Sequence, residues 1–357
     1  MLNATPLCFV NIVANVLICP QEGVQRNVRT GVLLAQSNDP WENLALEELL
    51  LERLAPDRAV LYLWQNQHTV VVGRHQNAWR ECHLERLAAD EGKLARRLSG
   101  GGAVYHDLGN LNFTFLVPRK DYDLQRQLRV ILNAVKAVGI EAEFSGRNDI
   151  LAQGRKFSGN AFYHGRHASF HHGTILIDVD LTVLAKYLNV PTQKMSSKGV
   201  ASVQSRVVNL RELVPALSLM AMREAMVGSF LAAYGGQGEC LDIKQLKDTD
   251  EFGTLYAKYS SWDWRIGKSP KFDVTYEARF PWGGVELGLL VSGGTVSEAK
   301  IYSDAMEAHL IEPMAESLVG SPFERAHLAK RLLALSATLA APLIAELAEW
   351  LRNEVLE

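Results

Sequence analysis

Two glycine-containing turns carry the residues with which this sequence could do chemistry. The first lies in RLSGGGAVYHDLGN (97–110), where three consecutive glycines follow Arg96 and Arg97. Backbone N–H groups in such a loop can form an anion-binding nest, and an adjacent arginine adds a planar donor for phosphate. A tight turn would use the same glycines. Spacing alone therefore leaves two interpretations, a structural turn or a phosphate or nucleotide cradle.

The run does not match the standard nucleotide-binding fingerprints. A dinucleotide fingerprint would need a third glycine where Tyr105 stands, and the GK[ST] ending of a Walker A loop is absent.

The second turn is GRKFSGNA (154–161), which places Lys156 beside Ser158 and Gly159. A lysine is usually a solvated surface charge, but the small residues allow a ligand close to the backbone. Just upstream, Asn148 and Asp149 offer hydrogen-bonding groups. Asp149 is either a turn residue or a candidate Mg²⁺ ligand.

The sequence gives little support for a histidine or cysteine metal site or for nucleophilic catalysis. His171 and His172 are adjacent in an extended segment and point to opposite faces, so one is predicted to be structural and the other a polar site contact. HExxH and GxSxG motifs are absent. The four cysteines are far apart without CxxC pairing, which disfavours disulfides and zinc and favours a reducing compartment. Cys82 is predicted to be a packed thiol.

Composition narrows the class of protein. The chain has 357 residues, 48% of them hydrophobic and 22% charged, which is typical of a globular protein of about two domains. A net charge of −3 argues against a general nucleic-acid or membrane-surface binder. We predict a cytoplasmic protein, with a mitochondrial location as the alternative if residues 1–30 are a transit peptide.

Local patterns predict the elements that position these turns. VLLAQ (32–36) is strand-like, and Asp39 followed by Pro40 predicts a helix start. AVLYLWQ (59–65) and HTVVVGR (68–74) are predicted to form a hairpin or adjacent strands. NLNFTFLV (110–117) alternates as a half-buried strand.

Further along, residues 124–139 form an amphipathic pattern that ends at Gly139, and HHGTILIDVDL (171–181) is strand-like. We predict an N-terminal extension (1–30), disordered or targeting, and a large α/β domain (31–265). A linker (266–275) and a small α+β domain (276–357) follow.

Several motifs together resemble the lipoate–protein ligase A family. They are RRLSGGGAVYHDLGN, SGRNDI, RKFSGNAFYH, FHHGTILI, SKGVASVQSRVVNL, VVVGRHQNAW, SSWDWRIGKSPKF and WGGVEL. The resemblance runs from about Gly31 almost to the C-terminus. It implies an α+β biotin/lipoate ligase-like catalytic domain, a mostly antiparallel sheet flanked by helices, followed by a small accessory domain.

The resemblance also implies an activity. Such enzymes join lipoate to AMP from Mg²⁺-ATP and release pyrophosphate. They then pass the lipoyl group to a lysine on lipoyl carrier domains of 2-oxoacid dehydrogenase E2 subunits and the glycine cleavage H protein. ATP and Mg²⁺ are thus expected as substrate and counterion, without a tightly bound cofactor, a nucleic acid or a membrane partner.

Site residues carry over from the same motifs. Lys156 matches the lysine that touches both the lipoate carbonyl and the adenylate phosphate. The expected ATP and adenylate contacts are Arg97, Gly102, Ala103, Val104, Tyr105, Asn148, Asp149 and Lys156. The expected lipoate contacts are Glu47, Trp64, Ser99, His106, His172 and Lys156, and no metal ligand is assigned beyond Asp149 as a candidate.

Three alternatives stay open from the sequence. A lipoyltransferase of mitochondrial type would work from preformed lipoyl-AMP. A carrier-to-carrier octanoyl transferase would need a nucleophilic cysteine, which the sequence does not offer. A non-catalytic lipoyl-binding module is disfavoured by Lys156 in its glycine-containing turn.

Overall fold

The computed structural model describes residues 29–145, 148–189, 206–236, 238–267 and 272–353. These residues divide into two compact units. Unit 1 takes in the chain up to residue 69, 106–185 and 190–260, as far as these are described, and unit 2 takes in 70–105, 186–189 and 261–357. Residues 1–28 of the predicted N-terminal extension and 268–271 of the predicted linker lie outside the described residues.

The strands are β1 (Arg29–Leu34), β2 (Arg58–Trp64), β3 (Thr69–Val72), β4 (Lys93–Arg96), β5 (Val104–His106), β6 (Asn110–Pro118), β7 (Glu143–Ser145), β8 (Asp149–Ala152), β9 (Arg155–His164), β10 (Ala168–Leu176), β11 (Glu239–Cys240), β12 (Val274–Phe280), β13 (Gly283–Ser292) and β14 (Thr295–Ser303).

The helices are α1 (Pro40–Glu52), α2 (Ala78–Glu81), α3 (Leu84–Ala89), α4 (Leu124–Ala137), α5 (Leu181–Tyr187), α6 (Leu210–Leu213), α7 (Leu219–Tyr234), α8 (Ile243–Lys247), α9 (Asp250–Ser260), α10 (Trp262–Arg265), α11 (Ala308–Leu318), α12 (Arg325–Leu339) and α13 (Pro342–Asn353).

An eight-stranded sheet forms the centre of unit 1, in the order β11-β1-β2-β6-β10-β9-β8-β7. β1 pairs in parallel with β11 and β2, and every other pair is antiparallel. The expected mostly antiparallel sheet flanked by helices is therefore confirmed.

Alternation along the central strands separates a core face from a second, more polar face. Phe113 and Phe115 of β6 and Ile175 of β10 join a buried cluster with the apolar faces of α4 and α7. Asn112 and Thr114 point the other way because successive side chains of a strand alternate. All of β6 is buried, rather than half-buried, because it has a strand on each edge and helices on both faces.

Two of the local helix predictions are confirmed. Asp39 accepts hydrogen bonds from the backbone N–H groups of Trp41 and Glu42, and Pro40 is the first residue of α1. Gly139 has a positive φ of +87°, which lets the chain turn away directly after α4.

The predicted pairing of residues 59–65 with 68–74 is wrong. β2 lies between β1 and β6, so both of its edges are occupied. β3 is instead the central strand of a separate three-stranded sheet, in the order β4-β3-β5.

Unit 2 combines that small sheet with the C-terminal part of the chain. β12, β13 and β14 form a second three-stranded antiparallel sheet in sequence order. Its inner face, with Leu287 and Leu289, packs in one core with Met314 of α11, Leu332 of α12 and Leu347 of α13. The small C-terminal α+β architecture is confirmed.

Within the described residues, none of the helices combines the length and apolar composition that crossing a bilayer requires.

Candidate functional site

Five positions on the polar face of the large sheet line up across five neighbouring strands. This cross-strand row consists of Asp149, Gly159, Thr174, Asn112 and Trp64, on β8, β9, β10, β6 and β2. The pairs Asp149–Gly159, Thr174–Asn112 and Asn112–Trp64 are directly opposite, and the Gly159 N–H donates to Thr174 Oγ1 at 3.2 Å. Strands lie about 4.8 Å apart, so the row spans about 19 Å.

Lys156 reaches one end of this row. Its Nζ lies 2.7 Å from Asp149 Oδ1, in an ion pair that is about one-third exposed on each side. A Cβ at Gly159 would come within 3.0 Å of that Nζ and 3.1 Å of Cε. The lysine side chain therefore occupies the space that the glycine leaves open.

The backbone around Lys156 is held by a second segment. Its N–H donates to the Arg206 carbonyl at 2.8 Å, and its carbonyl accepts from the Val208 N–H at 2.9 Å. A bulge in the β8–β9 register between Ile150 and Leu151 interrupts the pairing beside it. Bulges re-aim side chains, which accounts for an ammonium lying across the sheet face.

Near the other end of the row lies a buried polar cluster. Glu47 of α1 is 1% exposed, and its Oε1 accepts from the Thr114 hydroxyl at 2.6 Å. The same oxygen lies 2.8 Å from His172 Nδ1, which makes Nδ1 the protonated ring nitrogen. Thr114 also accepts from Trp64 Nε1 at 3.0 Å, so one hydroxyl connects the indole to the carboxylate.

His106 joins this cluster through Trp64. Its ring meets the indole edge-on, with centroids 6.3 Å apart, and its Nδ1 lies 3.3 Å from Asn66 Nδ2. Its side chain is 3% exposed.

His171 and His172 do lie on opposite faces of β10, as the sequence predicts. His171 is buried among Phe113, Phe115 and Phe162, with Nε2 2.8 Å from Asn160 Oδ1. Burial disfavours the charged imidazolium and lowers the pKa of His171 to about 3. His171 is thus the structural histidine, and His172 faces the Glu47 cluster.

Asn148 supports the β9 strand next to Asp149. Its carbonyl accepts from the backbone N–H of Asn160 at 2.9 Å and from Asn160 Nδ2 at 3.0 Å.

The glycine run belongs to unit 2, where Arg97 holds its carbonyl groups. The Arg97 guanidinium donates to the carbonyls of Gly100 and Gly102, each at 2.8 Å, to Val71 O at 3.2 Å and to Ser99 Oγ at 3.1 Å. Arg97 is 6% exposed and Ser99 is fully buried. The arginine stabilises the loop itself.

Two of the three glycines are explained by contacts inside unit 2. The Gly101 N–H donates to the Ala305 carbonyl at 3.2 Å, and Gly101 has a φ of +90°. A Cβ at Gly100 would lie 2.0 Å from that same carbonyl oxygen. Gly102 differs, because it is exposed and a Cβ there would meet nothing within 4 Å. A ligand could therefore approach the backbone at Gly102.

After Gly102 the chain enters β5, with Ala103 and Val104 half-buried and Tyr105 buried. The Tyr105 ring packs on Tyr187 with centroids 5.8 Å apart.

Arg96 has a structural role rather than an anion-binding one. Its guanidinium donates to five backbone carbonyls, those of Gly73, Arg74, Gln76, Trp264 and Arg265. Burial lowers the pKa of Arg96 to about 10. The predicted packed thiol is also found: Cys82 is 2% exposed, and burial raises its pKa to about 12.

The predicted site residues thus fall into three groups. In unit 1, one cluster holds Glu47, Trp64, His106 and His172, and the opposite end of the row holds Asn148, Asp149 and Lys156. In unit 2, one loop and its following strand hold Arg97, Ser99, Gly102, Ala103, Val104 and Tyr105. Among the described residues, no three His, Cys, Asp or Glu side chains are grouped so as to hold a metal ion.

Sequence reasoning missed Thr114, Asn112 and Asn66. The signal for the first two was present, since they occupy the polar positions of the alternating strand NLNFTFLV. Polar side chains inside a fully buried strand mark the face where hydrogen-bonding partners are needed.

The row in unit 1 suits a ligand with a polarised head and a mostly apolar tail. The Lys156 ammonium can stabilise negative charge that develops on a ligand oxygen. The indole of Trp64 offers apolar surface about three strand spacings, roughly 14 Å, from Gly159. Beside it, Thr114 and His172 both bond to the Glu47 carboxylate.

Two family matches cover most of the chain. Residues 39–231 match the lipoyl protein ligase A/B catalytic domain, and residues 269–351 match the bacterial lipoate protein ligase C-terminus. Because the first match alone covers more than half of the chain, the protein belongs to the lipoate–protein ligase family.

Solved structures agree with this assignment. LipL1 of P. falciparum in complex with lipoate is 30% identical, with a TM-score of 0.80, covering 91% of this chain and 100% of that one. A bipartite archaeal lipoate protein ligase, studied with its E2 lipoyl domain, from Thermoplasma acidophilum is 26% identical (TM-score 0.60; 69% and 100% covered). A lipoate–protein ligase A bound with ATP is 25% identical (TM-score 0.57; 68% and 99%).

Proposed function

We propose that this protein is an ATP-dependent lipoate–protein ligase. It activates lipoate to lipoyl-AMP, releases pyrophosphate, and transfers the lipoyl group to a specific lysine of a lipoyl carrier domain. The expected carriers are the E2 subunits of 2-oxoacid dehydrogenases and the glycine cleavage H protein. Mg²⁺ accompanies ATP as its counterion.

The cross-strand row in unit 1 is the observation that carries the proposal. Lys156 lies over Gly159 at one end, and Trp64 and the Glu47–Thr114–His172 cluster lie toward the other. An eight-carbon acid with its carboxyl group at Lys156 would extend its tail along the row toward Trp64. We assign Glu47, Trp64, His106 and His172 to the lipoyl tail on this basis.

Lys156 serves both half-reactions in this scheme. Attack on the α-phosphate concentrates negative charge on its equatorial oxygens, and aminolysis then builds charge on the carbonyl oxygen. One ammonium between these two places stabilises both transition states without a covalent intermediate. A single preorganised donor of this kind typically contributes a factor of about 10² to 10³ in rate.

The remaining roles rest on the family. A relative carries ATP and others bind lipoate or act with an E2 lipoyl domain, which supports the same substrates here. Several assignments stay predictions. They are nucleotide contacts by Arg97, residues 102–105, Asn148 and Asp149, lipoate contact by Ser99, the domain boundaries at 31, 266 and 276, and the cytoplasmic location.

Lipoate-dependent ATP–pyrophosphate exchange, measured beside transfer from supplied lipoyl-AMP, tests the activity. The intact protein should perform both. Transfer without exchange would make it a lipoyl-AMP-dependent lipoyltransferase, and the loss of both would refute the proposal.

Lys156→Ala tests the site. Both half-reactions should fall by about two orders of magnitude or more, because one ammonium serves both. Lys136→Ala is the matched control, since Lys136 is also a lysine of unit 1 paired with a carboxylate, Glu141, but is well exposed on α4. Transfer at the wild-type rate in the Lys156 variant would contradict the shared role.

A further inference from the structure

Aminolysis builds negative charge on the lipoyl carbonyl oxygen, and the Lys156 ammonium is the one donor that the proposed function gives to that oxygen. The same ammonium also serves the α-phosphate in that scheme, so it is shared between two places. Enzymes commonly aim more than one hydrogen-bond donor at such an oxygen. A second donor would have to lie beside Lys156 on the polar face of the large sheet.

Thr174 of β10 carries a hydroxyl whose proton has no acceptor among the residues that the structure describes. Its Oγ1 accepts a hydrogen bond from the Gly159 N–H at 3.2 Å. A threonine hydroxyl has one proton to donate as well as lone pairs, and the bond from Gly159 uses a lone pair only. Because Thr174 is half-buried in the cross-strand row, its proton is available to a ligand there.

The Thr174 hydroxyl borders the space into which the Lys156 ammonium extends. A Cβ built on Gly159 would lie 3.0 Å from Lys156 Nζ and 3.9 Å from Thr174 Oγ1, so the two donors are no further apart than the sum of these distances. Asp149 holds the ammonium from the β8 side of Gly159, whereas Thr174 lies on the β10 side. A ligand oxygen that contacts the ammonium from the β10 side therefore comes within reach of the hydroxyl as well.

We propose that Thr174 is a catalytic residue that donates a hydrogen bond to the acyl carbonyl oxygen of lipoyl-AMP. This role rests on the proposed function, in which the carboxyl carbon lies at Lys156 and the tail extends toward Trp64. Thr174 lies between Gly159 and Trp64 along the row, so its hydroxyl is on the tail side of that carbon. The phosphate is bonded on the other side of the same carbon. The group within reach of the hydroxyl is therefore the acyl oxygen.

Thr174 keeps its own proton throughout the transfer step. The neutral amine of the carrier lysine forms a C–N bond to the carbonyl carbon, and the π electron pair of the C=O bond moves onto oxygen. The hydrogen bonds from Thr174 and Lys156 strengthen as this charge develops. The pair then returns, the C–O bond to the phosphate breaks, AMP leaves with the electrons of that bond, and one proton of the nitrogen passes to water.

The same hydrogen bond acts differently in the first half-reaction. Free lipoate carries its charge on both carboxylate oxygens, and one of them becomes the neutral carbonyl oxygen of lipoyl-AMP. A hydrogen bond to that oxygen stabilises bound lipoate more than the transition state of adenylation. Thr174 is thus expected to lower the KM for lipoate in exchange and to raise the kcat of transfer.

Thr174→Val tests this role, because valine keeps the shape of the side chain and removes the hydroxyl. The kcat for transfer from lipoyl-AMP to a lipoyl domain should fall by about 10², the loss typical of one oxyanion donor. In ATP–pyrophosphate exchange the KM for lipoate should rise about tenfold, with a much smaller loss of kcat than transfer shows. The ratio of the two kcat values does not depend on the folded fraction, so it stays informative if the variant is destabilised.

Thr174→Ser keeps the hydroxyl and should recover most of the transfer rate. Thr254→Val is the matched control, because Thr254 is an exposed threonine of unit 1 whose hydroxyl donates to the Asp250 carbonyl within α9. Its rates should equal those of the wild type.

Hydroxylamine separates the carbonyl oxygen from docking of the carrier. This nucleophile attacks the same carbonyl without a carrier domain, so Thr174→Val should form lipoyl hydroxamate from lipoyl-AMP more slowly by a similar factor. A loss confined to the carrier reaction would overturn the role, and so would a wild-type kcat for transfer in Thr174→Val. Equal losses of kcat in exchange and transfer, without recovery in Thr174→Ser, would assign Thr174 to the packing of the sheet instead. Absence of exchange in the wild type would refute the ligase proposal, and the transfer assays would still decide the role of Thr174.

Discussion

Replacing Gly100 by alanine tests why the glycine run is built from glycines. The added Cβ would lie 2.0 Å from the Ala305 carbonyl oxygen and 3.0 Å from that of Met306. Both obstacles are backbone atoms, so neither can rotate away as a side chain would. Overpacking typically costs about 1–3 kcal/mol, and a clash with two backbone oxygens belongs at the upper end, about 3 kcal/mol.

The matched control is Gly102→Ala, two residues along the same loop. Its Cβ would meet nothing within 4 Å, so the thermal midpoint should stay within about 2 °C of wild type. At about 3 °C per kcal/mol, Gly100→Ala should lower the midpoint of the unit 2 transition by about 9 °C. Differential scanning calorimetry of both full-length variants measures this.

The two variants should also differ in activity. If Gly102 is the position where the adenylate approaches the backbone, Gly102→Ala should raise the KM for ATP in the exchange assay without a loss of stability. Equal midpoints for the two variants would refute the contact between Gly100 and Ala305. An unchanged KM with Gly102→Ala would leave the run as a structural loop.

Three further predictions follow from buried groups. Thr114→Val keeps the shape of the side chain but removes the hydroxyl between Trp64 and Glu47, so the KM for lipoate should rise about tenfold in the exchange assay. An unchanged KM would contradict the cluster's role in binding. His171 has a folded pKa of about 3, so only the unfolded state gains its proton as pH falls below about 6.5. Stability should therefore decrease from pH 7 to pH 5 in urea titrations, less so in His171→Gln, and parallel slopes would contradict this. Arg96→Lys should lower the thermal midpoint almost as much as Arg96→Ala, because one ammonium cannot donate to the carbonyls that lie on both sides of the guanidinium. A wild-type midpoint in Arg96→Lys would contradict that.

Local signals were reliable where neighbouring residues decide the structure. Asp39 and Pro40 predicted the start of α1, and the alternation of residues 110–117 predicted β6. The opposite orientations of His171 and His172 follow from the twofold period of a strand alone.

The same local signals did not predict which strands pair when the partners are far apart in sequence. β2 and β3 are four residues apart, and the short connection favoured a hairpin. Their actual partners, β1 and β6 for one and β4 and β5 for the other, come from other parts of the chain. Thr114 was missed for a related reason, since nothing in the strand's own sequence shows that Glu47, 67 residues earlier, lies against it.

The glycine run shows how this limit affects function. Its neighbours in sequence left both a structural turn and a ligand cradle open. In the structure, Gly100 and Gly101 are constrained by the Ala305 carbonyl, some 200 residues later in the chain. Unit 2 accordingly joins residues 70–105 with 261–357, across the boundary drawn from composition.

A chain truncated near residue 271 would lose Ala305 and leave the Gly101 N–H without that acceptor. Loss of ATP–pyrophosphate exchange after such a truncation would therefore not assign adenylation to the C-terminal residues. Gly100→Ala separates the two explanations, because its Cβ would clash with the Ala305 carbonyl while the C-terminal sheet and helices stay in the chain.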